Sequence, residues 1–326
     1  MRTAVVTGAF GYIGSILCKL LKEEGYIVVA IDYNASQFNR FYETGYFDDY
    51  RVEDFAAPDV LDTIERSYPD ATIFHLAASS LLGPSAYEPL SYFSNNTAKT
   101  LKLLETLRPT NRLIFASTAA VYAVRQDDAY INEDSILEPP NNYGLSKLWC
   151  EQMIDSYHEL GGIKAASFRF FNVIGAYDDV GQQPNTPHVV NQLIDKTLTN
   201  TKFELYGTDY PTIDGTCIRD YFHVLDVCRA LIHADRYLEK KKKSCHYKFN
   251  LGSGCGYSVR AIIDAFERVT GHKVKVKETK RRIGDPPYLL ADPNHFINTT
   301  KFKYHYSSDL DQMIASAWEY RKRVTE

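Results

Sequence analysis

Apolar runs and stretches of helical periodicity alternate along the first half of the chain. Ala4–Thr7 is a short β-branched run closed by Gly8, and Tyr12–Glu24 repeats apolar residues at helical spacing until Gly25. Ile27–Ile31 is a second continuous apolar run. Runs of this kind predict strands buried on both faces, as in a parallel sheet. Thr72–Leu76, Leu113–Ala116 and Ala165–Phe171 read as further strands. Leu90–Leu107 reads as a long helix with Leu101, Leu104 and Leu107 on its core side, and Asn142–Leu160 as another, stopped by Gly161-Gly162. Strand and helix in alternation predict an α/β fold with a doubly wound parallel sheet and right-handed crossovers.

The rhythm changes after Gly175. Residues 176–187 read as an irregular loop. Val189–Leu198, Val224–Leu238, Val259–Thr270 and Leu310–Arg321 read as helices, and Phe203–Tyr206, Lys248–Leu251 and the alternating Lys273–Lys277 as strands. The pattern predicts a second, smaller α/β lobe. The expected division is 1–175 for the first domain, with 215–251 returning to it, and 176–214 plus 252–326 for the lobe.

Composition narrows the function classes. The 326 residues carry 37 basic and 41 acidic side chains, a formal net charge of −4, and are 44% hydrophobic. That is ordinary globular composition with ample material for a core. The acidic balance lacks the phosphate attraction on which nucleic-acid binders depend. No run reaches the ~18 apolar residues of a membrane span. The opening Met1-Arg2-Thr3, leading into Ala4-Val5-Val6, lacks a signal-peptide layout. Cys18, Cys150, Cys217, Cys228, Cys245 and Cys255 form no CxxC pair and no zinc-spaced cluster. They are read as buried free thiols in a reducing, cytoplasmic setting, with no metal. The 24 tyrosines suit a wet binding surface without selecting a ligand.

Gly8-Ala9-Phe10-Gly11-Tyr12-Ile13-Gly14 is a GxxGxxG pattern set between a strand and a helix. Gly8 suits the tight turn, Gly11 lets backbone approach a pyrophosphate, and Gly14 lets helix and strand pack closely. The pyrophosphate would sit at the helix N-terminus, where free N–H groups and the dipole favour an anion. Asp32 follows the second strand, 18 positions past Gly14, where a carboxylate can accept from ribose hydroxyls. It would repel a 2′-phosphate, so the expected cofactor is NAD.

Tyr143 and Lys147 stand at i, i+4, on one face of a predicted helix. A free tyrosine is a poor base at neutral pH, but an ammonium and a cationic nicotinamide would both favour its phenolate. The strand Leu113–Ala116 runs into Ser117-Thr118, at the strand end where ligands bind in parallel sheets. Thr118 is therefore expected beside Tyr143.

Together these features resemble the extended short-chain dehydrogenase/reductase family, and further motifs resemble its UDP-glucose 4-epimerases. The motifs are Gly11–Ser15, Tyr92–Asn96, Phe168–Ala176, Asp209–Thr212, Asp214–Thr216, Arg219–Val224 and Arg281–Asp285. The resemblance implies a Rossmann-like sheet with a UDP-sugar-binding lobe, NAD as cofactor and a homodimer built on the two long helices. It implies inversion at C4 of a UDP-hexose through a transient 4-keto sugar, with hydride returned to the other face. Tyr143 would be the base, Lys147 would hold the nicotinamide ribose, and Thr118 would bridge sugar and Tyr143. Asp54 and Phe55 would contact adenine, Leu76, Ala77, Ala78 and Phe170 would line the cofactor, and Asn96 would lie near its pyrophosphate. Tyr12 and Ile13 would join the glycines there. Asn172, Arg219 and Arg282 would grip the substrate diphosphate, Asp285 its ribose, and Tyr206 the uracil, with His188 and Val189 also on the substrate. His75 and His223 are read as structural.

The departures from the family pattern are Ala9 and Ala78 where glycine is usual, Ser80 where lysine is common, and Ala123 after Val121-Tyr122. Ala120 stands where sugar-nucleotide dehydratases and UDP-glucuronate decarboxylases carry a glutamate, which favours simple epimerisation. Leu289, of intermediate bulk, falls where the family meets the hexose. UDP-N-acetylhexosamines and UDP-pentoses therefore remain alternative substrates, and a non-catalytic nucleotide-sugar binder remains the reading from another class.

Overall fold

The computed structural model describes residues 2–282, 284–307 and 309–325. Ile283 of the Arg281–Asp285 motif lies outside the described residues. The chain forms two compact units.

The first unit comprises Met1–Ala123, Ile136–Phe170 and Cys228–Phe249. Its seven-stranded sheet is ordered Cys245–Leu251, Lys164–Phe170, Arg112–Thr118, Thr72–His75, Thr3–Thr7, Ile27–Ile31, Asp49–Arg51. From Lys164–Phe170 to Asp49–Arg51 all neighbours pair in parallel. The inner strands are buried along almost their whole length, which is why they are apolar runs rather than alternating ones. Val5, Val29, Ile73, Leu104, Leu113 and Ile154 share one core cluster. Burying each such side chain contributes ~1.5–3 kcal/mol. The strand order reverses at Thr3–Thr7, and ligands bind beyond the strand C-termini at such a point.

Two expectations about this unit need correction. Leu90–Leu107 is not one regular helix. It runs as Pro89–Tyr92, a π-helical segment Phe93–Ala98, and Lys99–Thr106. The buried positions at its end are Thr100, Leu103, Leu104 and Leu107, the spacing of a helix face, whereas Leu101 is 45% exposed. The helices Ala35–Phe41 and Pro58–Ser67 and the edge strand Asp49–Arg51 were also unforeseen.

The second unit comprises Val124–Ser135, Phe171–Val227 and Asn250–Glu326. Its central strand, Ile218–His223, pairs antiparallel with Gly256–Ser258 and parallel with both Tyr288–Leu289 and Asn172–Ile174. A separate parallel pair joins Phe203–Tyr206 to Val276–Thr279. Leu193, Phe266, Met313 and Trp318, from the helices Val189–Leu198, Val259–Thr270 and Leu310–Thr325, share its core. The expected loop 176–187 contains a small antiparallel pair, Ala176–Tyr177 with Val180–Gly181. The segment returning to the first unit is Cys228–Phe249 rather than 215–251, because the pairings of Ile218–His223 hold that strand in the second unit. Residues 124–135 likewise belong to the second unit: Ile131 N–H donates to Leu290 O, and Asn250 donates to Ile131 O.

No helix among the described residues is long and apolar enough to cross a membrane. None of their His, Cys, Asp and Glu side chains form a group of three or more able to hold a metal ion. Four cysteines are buried as free thiols, Cys245 is half-buried, and Cys255 is exposed, contrary to expectation.

Candidate active site

In the first unit, the turn after Thr3–Thr7 forms a cradle lined by backbone. Gly8 has φ +73°, and a Cβ there would lie 2.8 Å from Ala77 N. A Cβ on Gly14 would lie 2.0 Å from Gly8 O, so no larger residue fits either place. The helix Tyr12–Glu23 begins with no side-chain cap and no acid in its first turn. Its N-terminal N–H groups and dipole thus face no internal anion from these sources, the arrangement that suits a phosphate. Asp32 directly follows Ile27–Ile31 and accepts from Phe10 N–H and Asn34 N–H, both at 3.0 Å. Burial raises its pKa against those hydrogen bonds. These features fit a dinucleotide.

Other residues expected at the cofactor are engaged within the protein. Asp54 accepts from Ala56 N–H at 3.0 Å and pairs with Lys99 at 2.5 Å. The Phe55 ring lies in the core, edge-on to His75 at 4.8 Å. Leu76 N–H donates to Thr7 O, and Ala77 packs against Gly8, with Ala78 next in line. Asn96, in the π-helical segment, is buried: its Oδ1 accepts from Ser79 N–H at 2.8 Å, and its Nδ2 donates to Ser79 O and Ser146 Oγ, both at 3.0 Å. It braces the loop after Thr72–His75 against the helix Asn142–Glu159. Phe170, half-buried, pairs with Thr118 across neighbouring strands.

That helix carries Tyr143 and Lys147. Asn141 Oδ1 caps it, accepting from Gly144 N–H at 2.8 Å. Its first turn abuts the turn Ala119–Val121, and this brings Tyr143 to Thr118. The Thr118 hydroxyl favours the Tyr143 phenolate, but burial outweighs it and pushes the Tyr143 phenol up to about 12. Lys147 is buried, with its Nζ 4.6 Å from the centre of the Phe115 ring. Burial pulls it down to about 8, against the fields of Cys150 and Glu151. The expected phenolate stabilisation is thus not produced by the side chains alone. His75 is structural, as read: it lies between Thr7 Oγ1 at 2.7 Å and Thr100 Oγ1 at 2.9 Å.

The second unit gathers most of the residues expected on the substrate. Arg219 is 9% exposed, and its Nη2 is buried without a hydrogen-bond partner, 3.6 Å from Asp285 Oδ1. A buried donor in that condition suits an anion. Asp285 N–H donates to Arg282 O, and the Arg282 guanidinium lies 4.0 Å from the centre of the Tyr206 ring. Leu289 stands opposite Arg219 in register. Asn172 Nδ2 donates to Asp220 O at 3.0 Å. His188 and Val189 belong to a different element: exposed His188 precedes the helix that Val189 opens.

Residues 4–252 match the sequence model of the NAD dependent epimerase/dehydratase family. The chain belongs to that family. Among curated members of this epimerase/dehydratase family, the UDP-glucose 4-epimerase of Corynebacterium glutamicum is 35% identical over 320 residues, 97% of this chain and 94% of that protein. The solved UDP-glucose 4-epimerase of Brucella ovis, in complex with NAD, is 34% identical with a TM-score of 0.89, covering 98% of both chains. That of Stenotrophomonas maltophila, with bound NAD and formylated UDP-arabinopyranose, is 29% identical with a TM-score of 0.91, covering 100% of this chain and 99% of that one.

Within this epimerase/dehydratase fold, several residues near the expected site escaped the sequence reading. Lys99 pairs with Asp54. Arg281 holds Asp209 at 2.7 Å and lies 4.3 Å from the Tyr210 ring centre, tying the loop after Phe203–Tyr206 to the Arg281–Asp285 segment. Glu151, one turn beyond Lys147, is buried against Arg169. Its i+4 spacing from Lys147 was visible, but its partner lies on another strand.

Proposed function

We propose that this chain is an NAD-dependent epimerase that inverts C4 of a UDP-hexose of the UDP-glucose/UDP-galactose type. One observation carries the reading: Tyr143, on a helix packed against the turn that follows Thr118, stands one helical turn from buried Lys147, in a unit that also holds a glycine-lined cradle. Near-full-length likeness to UDP-glucose 4-epimerases supports it.

Gly8, Gly11, Tyr12, Ile13, Gly14 and Asp32 hold the cofactor through backbone N–H groups and one carboxylate. NAD, when bound, supplies the hydride acceptor for C4, the source of the returning hydride, and a cationic ring. Tyr143 takes the proton of the sugar 4-hydroxyl and later gives it back. Thr118 donates to or accepts from the same oxygen and orients the phenol. Lys147 binds ribose hydroxyls and contributes positive charge, which favours phenolate. Arg219, Arg282 and Asn172 hold the diphosphate while the sugar turns, since guanidinium forks match phosphate oxygens. Asp285 accepts from the uridine ribose. Tyr206 offers a ring face to uracil, and its ring also carries Arg282. The intact Thr118/Tyr143/Lys147 set weighs against a non-catalytic role, and Ala120 against dehydration or decarboxylation.

A second reading, a UDP-pentose or UDP-N-acetylhexosamine 4-epimerase, is favoured by the formylated UDP-arabinopyranose held by the Stenotrophomonas maltophila enzyme. A homodimer in the cytoplasm completes the proposal. Leu90, Leu101 and Trp149, exposed by 78%, 45% and 39% on the Pro89–Thr106 and Asn142–Glu159 segments, are apolar surface for a second copy to cover.

The test is C4 inversion across a panel of UDP-sugars, with the mass of co-purified NAD. Tyr143→Phe is expected to keep UDP binding and lose turnover. Near-normal turnover in that variant overturns the assignment.

A further inference from the structure

Behind the hydroxyl pair lies a buried charged network that the proposed mechanism does not use. Glu151 and Arg169 are 1% and 2% exposed. Arg169 Nη2 donates to Glu151 Oε2 at 2.6 Å, and its Nε donates to Oε1 at 3.1 Å. Ser117 Oγ donates to Glu151 Oε1 at 2.5 Å. Arg169 Nη1 donates to the Tyr122 hydroxyl at 2.8 Å, and its guanidinium lies 4.9 Å from that ring's centre. One carboxylate on the helix of Tyr143 and Lys147 thus holds the residue before Thr118. Its guanidinium partner holds the residue that ends the turn after Thr118.

The placement is costly. A buried ion pair is often no more stable than apolar side chains of the same volume. Stability alone therefore gives little reason for charge here, and position gives more. Glu151 lies one turn beyond Lys147, on the same helix face. Among the described residues, the titratable groups near Lys147 include Tyr143, Cys150 and Glu151 on its own helix, and His75 on the strand Thr72–His75. Burial pulls His75 down to about 3 and pushes the Cys150 thiol up, so both are uncharged near neutrality. Glu151 itself faces Arg169 and His246 from neighbouring strands. It is the carboxylate whose field opposes the loss of the Lys147 proton.

We propose that Glu151, held by Arg169 and Ser117, is a positioning residue of the epimerase reaction: it seats Thr118 against Tyr143 and sustains the ammonium of Lys147. The inference rests on the epimerase reading given above. Glu151 touches neither substrate nor cofactor in this scheme and acts through Lys147 and Thr118.

The experiment measures kcat against pH, KM for the UDP-sugar, UDP affinity and the thermal melt for Glu151→Gln, Ser117→Ala and Tyr143→Phe. Glu151→Gln keeps the shape and removes the charge. It is expected to lower kcat by ~10-fold or more and to move the alkaline limb of the profile about one pH unit lower, with KM and UDP affinity within about twofold. A merely structural role would lower the melting temperature and leave the limb in place. Ser117→Ala retains the ion pair and is expected to lower kcat several-fold with the limb unmoved. A folded Glu151→Gln protein with the wild-type limb overturns the proposal. So does a wild-type kcat in Ser117→Ala if Glu151→Gln does not fold. Turnover retained by Tyr143→Phe would instead sink the epimerase reading, whatever the Glu151 variant does.

Discussion

A Cβ on Gly144 would stand 2.1 Å from the carbonyl oxygen of Ala120. The residue after Tyr143 is thus in backbone contact with the turn after Thr118, and this contact sets the distance between the two hydroxyls. Gly144→Ala must push helix and turn apart. Overpacking of this kind costs ~1–3 kcal/mol. The expected result is a lower melting temperature together with a kcat loss of ~100-fold, because the proton acceptor is misplaced. Stopped-assay turnover and a thermal melt on the same sample check both.

Lys147 is expected to trade stability for function. Burial lowers its pKa from 10.5 to about 8, so the unfolded chain binds its proton more tightly than the folded one. The cost is full below about pH 8 and fades as pH rises toward 10.5. It is on the order of 3 kcal/mol, since each tenfold loss of proton affinity is worth ~1.4 kcal/mol. Lys147→Met should therefore be more stable than the wild type at pH 7, with the gain shrinking above pH 8, while turnover is lost. Urea unfolding at pH 7 and pH 10 measures the gap.

Ser167, His246 and Asp155 form a chain with spacings of 2.7 Å and 2.8 Å, the outline of a hydrolytic triad. Ser167 is completely buried, however, and no substrate reaches it. A fluorophosphonate probe is expected to leave it unlabelled. Burial would raise the Asp155 carboxyl, but hydrogen bonds from His246 and Lys248 hold it down at about 2. Its stabilisation is present above the ordinary carboxyl pKa and is lost as pH falls toward 2. Asp155→Asn should melt earlier than the wild type at pH 7, and the two should converge as pH falls from about 4 toward 2.

Arg219 and Tyr206 should separate by the size of their effects on UDP. Arg219 has a buried donor, Nη2, without a hydrogen-bond partner, so Arg219→Lys loses the planar fork and should weaken UDP ~10–100-fold. Tyr206→Ala removes a ring face and the seat of Arg282, and should cost less, ~10-fold. Calorimetric titration with UDP, which needs no turnover, ranks them. Equal, small effects would count against the assigned diphosphate grip.

Central strands were legible because a strand buried on both faces is apolar throughout. Ile27–Ile31, Phe203–Tyr206 and the helix Val259–Thr270 fall where periodicity puts them. Asp49–Arg51 was not legible. It is a three-residue edge strand with half-exposed polar side chains, and no apolar run marks it. The chemistry-bearing types at the site were visible from motif and spacing, but their engagements were not. Nothing in the order of residues shows that Lys99 occupies Asp54, or that Ser79 and Ser146 occupy Asn96. Nor does spacing reveal that Tyr143 lacks a nearby cation strong enough to offset its burial, since that balance belongs to the packed interior.

The π-helical segment Phe93–Ala98 amounts to a phase adjuster. A wide turn absorbs one extra residue, so the side chains within it point where an ordinary helix would not put them. Asn96 reaches Ser79 on one side and Ser146 on the other from within that turn. Deleting one residue there would let the segment relax to an ordinary helix, keeping its flanks in phase while turning side chains within it by up to about 100°. Asn96 would lose both neighbours at once, although no residue it touches had changed. The spacing of this stretch is therefore as much a determinant of the site as the identities of its side chains.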